Sequence, residues 1–121
     1  MTTTLLYDGS LNGLLTTIFT IYDHKIKLPI ISKASNTQKN LFDGVEIITT
    51  DIDKAQRVWK RFKSLCESRD SHQVYCAFLS EITGIENTIY EYIKWTFKAQ
   101  KAPSGDFTNP SVLKIAQAAK W

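Results

Sequence analysis

The apolar positions along the chain change their period several times, and each change marks an element. Thr3 to Tyr7 (TTLLY) is β-branched and apolar and is cut by Asp8-Gly9-Ser10, which predicts a short strand and a turn. Leu11, Leu14, Leu15, Ile18, Phe19 and Tyr22 then recur at helical spacing, so a helix opens behind Ser10 as its N-cap. From Lys27 to Gly44 the pattern fades into a polar loop in which only Ile30-Ile31 suggests a short strand, and Val45 to Thr49 (VEIIT) reads as the next strand.

The rest of the chain is helical in period. Thr50 or Asp51 caps a second helix whose Ala55, Val58, Trp59, Phe62 and Leu65 lie on one side. After a polar break from Cys66 to Ser71, a third helix turns Val74, Phe78 and Ile82 inward. Thr83-Gly84-Ile85-Glu86 has the spacing of a capping box and starts a fourth helix. This helix runs to about Ala99 with Ile85, Ile89, Tyr92, Ile93 and Thr96 inward and Tyr90 and Trp95 at its flanks. Asn109 as cap and Pro110 at the first helical position open a fifth helix, with Val112, Leu113, Ile115 and Ala116 inward. The order predicts one α+β domain over residues 1–121, mainly helical, with about five helices and two short strands flanking the first. The helix and the length of chain between those strands permit parallel pairing. Neither Gly nor Pro stops the last helix before Trp121, so the chain is expected to be the N-terminal part of a longer architecture, with Trp121 exposed or against a neighbour.

Composition narrows the class. With 43% hydrophobic and 22% charged residues the chain is that of an ordinary globular domain, and no apolar run approaches the ~20 residues of a membrane span. The start MTTTLLYDGS lacks the basic region of a signal peptide, so a cytoplasmic protein with Cys66 and Cys76 as free thiols is expected, and no membrane partner. The net charge of +3 is unevenly placed: residues 1–50 balance to zero, and the whole excess falls in residues 51–121. Within that half, Lys54, Arg57, Lys60, Arg61 and Lys63 crowd the arc of the second helix opposite its apolar side, with no acid after Asp53. Such a one-sided cation array suits phosphates, whose neutralisation releases counterions, and equally suits a solvated face. The stretch YEYIKWTFK interleaves Tyr90, Tyr92, Trp95 and Phe97 with Lys94 and Lys98. Aromatics at helical spacing are core or a stacking surface for bases, and Trp95, off the main stripe, is the one to stack.

Other candidate chemistry is thin. Gly9 and Gly13 lack both the G-x-G-x-x-G fingerprint and the Lys-Ser/Thr of a P-loop, so Gly9 makes a turn and Gly13 allows a close approach. Asp8 is either an acid or base, or a cap for backbone amides. Cys66, His72 and Cys76 form C-x5-H-x3-C, which matches no common zinc spacing, so no metal and no cofactor is expected. His24 and His72 are the only imidazoles, neither beside a nucleophile motif, and no catalytic residue is recognised.

Three ordered stretches, YDGSLNGLLTTIF at Tyr7 to Phe19, VEIITTDIDKAQRVW at Val45 to Trp59 and YCAFLSEITGIENTIYEYI at Tyr75 to Ile93, resemble a bacterial family of DNA metabolism proteins. Pro110-Ser111-Val112-Leu113 resembles the family's later helix start. The resemblance implies an accessory or DNA-engaging module of a DNA repair or modification system. It also implies a radical-SAM protein as partner and, in some chains, a uracil-DNA glycosylase-like domain. It supplies no catalytic residues, and iron chemistry would belong to the partner, since two cysteines cannot hold an ordinary four-cysteine cluster. The competing expectation is a protein-interaction scaffold that docks the partner and makes no DNA contact of its own.

Overall fold

The computed structural model describes residues 3–34, 44–103 and 109–119. Two compact units, Met1–Trp59 and Lys60–Trp121, divide within the second helix. The fold is α+β and mainly helical, and Trp121 and the stretch 35–43 lie outside the described residues.

The first unit holds β1 (Thr3–Tyr7), α1 (Leu11–Asp23), β2 (Pro29–Lys33), β3 (Val45–Ile47) and the first turns of α2 (Ile52–Ser64). Its sheet has the order β2-β1-β3 with both pairings parallel, Leu5 opposite Ile31 and Leu6 opposite Ile47. A central parallel strand is covered on both faces, which is why Leu5, Leu6 and Tyr7 are buried in succession rather than alternately. The sequence pattern reduces β2 to Ile30-Ile31, whereas the strand spans five residues, with Pro29 at its first position, where proline is tolerated in a sheet. The inward face of α1 is also rotated from the apolar stripe. Tyr22 is exposed and Phe19 only half-buried, while Ile21 and Thr17 are buried beside Leu14 and Ile18. The reason is that the Thr17 hydroxyl donates back to the Gly13 carbonyl at 2.8 Å, so a formally polar residue enters the core with its donor satisfied.

The second unit holds the last turns of α2 with α3 (Ser68–Leu79), α4 (Ile85–Ala99) and α5 (Pro110–Ala118), the last of which packs on both α3 and α4. Its core includes Phe62, Val74, Ala77, Ile89, Tyr92, Ile93, Val112 and Ile115. The structure departs from the sequence pattern at four points. Tyr90 is buried rather than flanking; Ile82 lies beyond the end of α3 and is exposed; and Leu113 faces out at 44% exposure while Ala118 is buried. An alanine suits the side of α5 that meets two helices at once, and it leaves the larger Leu113 outside. Fourth, Thr83 and Glu86 do not form a capping box, because the N-cap is Gly84 at φ +83°, a left-handed conformation that favours glycine, and it makes no side-chain cap. The box belongs one helix earlier, where the Glu67 N–H donates to Asp70 Oδ2 at 3.0 Å.

Tyr92 meets Phe62 edge to face, with ring centroids 6.1 Å apart, and its hydroxyl is buried without a hydrogen-bond partner among the described residues. Burial accordingly pushes the phenol above its ordinary range. Because the hydroxyl carries an unrecovered desolvation cost, Tyr92→Phe is expected to be neutral or stabilising, by up to about 1 kcal/mol in urea denaturation.

Candidate nucleic-acid interface

Helix α2 is fixed at its start by Asp51. The Asp51 carboxylate accepts from the Lys54 N–H at 3.2 Å, its carbonyl accepts from Ala55 at 2.9 Å, and its own N–H donates to the Thr16 hydroxyl of α1 at 3.1 Å. Asp53 in the first turn and Arg61 and Lys63 in the last complement the helix dipole. Ala55, Val58 and Phe62 are buried, and Trp59 and Leu65 are half-buried.

All five cations of α2 are exposed. At about 100° per residue they fall into two groups. Arg57 and Lys60 lie opposite the apolar side, and Lys63 borders it on the far edge, about 40° from Trp59; none of these three has an acidic partner among the described residues. Lys54 and Arg61 border the apolar side and are held over aromatic rings, the Lys54 ammonium 5.5 Å from the centroid of Phe19 and the Arg61 guanidinium 5.4 Å from that of Phe97. The rings orient two of the cations while all five charges stay at the surface.

The aromatic stretch of α4 does not make a ladder. Tyr90 and Tyr92 are buried, the Lys94 ammonium sits 5.7 Å from the Tyr90 centroid, and Phe97 is half-buried under Arg61. Trp95 alone of the four is exposed, at 41%. Two residues along a helix are about 200° apart, so Trp95 and the Arg61-bearing Phe97 project from opposite sides of α4. Trp95 instead lines a groove between α4 and α5 with Glu91 and Lys114. Lys114 has no signal in the sequence alone, because only the pairing of α5 with α4 brings it to Trp95.

The turn after β1 is a closed structural unit. Asp8 Oδ1 accepts from the Ser10 N–H at 2.9 Å and the Ser10 hydroxyl at 2.6 Å, and Oδ2 accepts from the Thr50 hydroxyl at 2.8 Å. These bonds hold the carboxyl below its usual range, so it is ionised at neutral pH and ties the turn after β1 to the segment between β3 and α2. Ser10 caps α1 by accepting from the Gly13 N–H at 2.9 Å. The backbone at Gly9 has φ +92°, and a Cβ on Gly13 would overlap the Asp8 carboxylate, so both glycines serve the turn. Gly13→Ala is therefore expected to cost about 1–3 kcal/mol despite alanine's better helix propensity, read as a lower urea midpoint at constant slope. A neutral or stabilising result would contradict this account of the turn.

Cys66 and Cys76 are both free and half-buried. Burial pushes the Cys66 thiol up, while Cys76 Sγ lies 3.4 Å from His72 Nε2. Among the described residues no group of three or more His, Cys, Asp or Glu side chains is gathered as a metal site, and no helix is long and apolar enough to cross a membrane. Comparison of the chain with protein-family models, with curated proteins and with solved structures gave no match.

Proposed function

We propose that this chain is a DNA-engaging module of a repair or modification system, as the family resemblance implies, and that α2 supplies its phosphate contacts. The observation that carries the reading is the one-sided array on α2. Five exposed cations follow one another from Lys54 to Lys63 with no acid among them, backed by the buried Ala55, Val58 and Phe62. A cation array on a helix meets phosphates at a lower entropic cost than lysines on an irregular loop. The radical-SAM protein is the proposed partner, and the reaction chemistry belongs to it.

A second reading, a scaffold that docks the partner without touching DNA, draws on Tyr75 and Leu79, which are exposed one turn apart on α3, and on Ile82 just beyond it. The two readings separate in an anisotropy titration of labelled duplex DNA at two salt concentrations. Three to five phosphate contacts predict a slope of log affinity against log salt of roughly −3 to −4.5. Absence of duplex binding at low salt, together with a stable complex with the radical-SAM protein in DNA-free buffer, would favour the scaffold.

A further inference from the structure

We propose that the groove between α4 and α5 holds an unpaired nucleobase, with the Trp95 indole as its stacking platform. This deepens the reading of the chain as DNA-engaging and rests on it, but it concerns a different surface from the cation array of α2. The groove encloses about 340 Å³, the small end of the range for ligand pockets and suited to a single ring system. Trp95 and Pro110 are the apolar members of its lining. Glu91 stands one turn before Trp95 on α4, and Lys114 faces them from α5.

The balance of charge argues for a base rather than for a phosphate run or an acidic peptide. One carboxylate and one ammonium make the lining close to neutral, which fits an uncharged flat ring with polar edges. The Glu91 carboxylate is an acceptor for an exocyclic amine such as N4 of cytosine. Lys114 at the opposite wall is placed to meet the phosphate of the same nucleotide. A second recess of about 430 Å³, lined by Ile82 and Ile85, shares Thr88 and Lys114 with the groove and gives room for the sugar next in the strand. Duplex DNA keeps its bases stacked and paired, so this groove reads single strands only.

The test compares an oligo-dC strand with an abasic strand of the same length, which has the same phosphates and no bases. The wild-type protein is expected to bind oligo-dC about tenfold tighter than the abasic strand. Trp95→Ala is expected to bring the two affinities to parity without changing that for the abasic strand, and Trp95→Phe to keep most of the preference. A urea midpoint for each variant close to wild type excludes unfolding as the cause. Parity in the wild-type protein, or a preference that survives in Trp95→Ala, would overturn the proposal; in the first case the groove is left to a protein segment. Failure of the phosphate reading looks different: reversing charges on α2 would then leave the abasic affinity untouched, while the ratio between the strands still reports on Trp95.

Discussion

Phe62→Ala is expected to lower the stability of the protein by about 3–5 kcal/mol. Domains of this size are stable by only about 5–15 kcal/mol, so the loss is a large fraction of the total and should lower the urea midpoint well below that of the wild type. Phe62 has no exposed surface, lies on the inner side of α2, and meets the ring of Tyr92 edge to face. Truncation removes that contact and leaves a cavity beside the Tyr92 ring. Leu113→Ala is the control: Leu113 is as apolar as Phe62 but faces out from α5, and its loss should stay within about 0.5 kcal/mol. Urea denaturation with an unchanged slope reads both, and a loss below 1 kcal/mol for Phe62→Ala would contradict its place in the core.

The helices were legible because each places apolar side chains three and four positions apart. Four of the start signals held as well: Ser10, Asp51, Asn109 and Pro110 each sit where the hydrogen-bonding needs of a helix terminus put them. What escaped the pattern has identifiable causes. Strand β2 is an edge strand with Pro29, Ser32 and Lys33 among its five residues, so only its two isoleucines carry an apolar signal. On α1 the stripe was misplaced because buried threonines count as polar until their hydroxyls are seen bonded to the preceding turn. The fourth helix begins at a left-handed glycine, a backbone choice that a side-chain spacing cannot reveal. Of the candidate site, the exposure of the five α2 cations is legible in the sequence, since a helix fixes the angular positions of its own residues, but the seating of Lys54 and Arg61 over Phe19 and Phe97 is not, because those rings come from other helices. The separation of Trp95 from Arg61 is not legible either, because it depends on Phe97 lying under Arg61 and on α5 packing along the other side of α4.

The structure also selects the cations whose change tests the phosphate contact with the least disturbance. Arg61→Glu would remove a guanidinium from the face of Phe97 as well as a surface charge, and Lys54→Glu would do the same at Phe19. Arg57 and Lys60 rest on no ring among the contacts described and lie opposite the buried side of α2, so Arg57→Glu with Lys60→Glu should change stability by no more than about 0.5 kcal/mol per site. Its effect on binding should be far larger, on the order of tenfold per site, because each change removes a charge-assisted contact and adds a repulsion. The loss should be uniform across duplex sequences, since phosphates carry no sequence information.

The assignment of α2 to the phosphate backbone is decided by the slope of log affinity against log salt for duplex DNA, measured for the wild-type protein and for Arg57→Glu with Lys60→Glu. If α2 meets the phosphate backbone, the double variant binds more weakly and its slope is shallower by roughly two, one for each lost contact. Equal affinities with equal slopes would contradict the assignment of α2 to DNA.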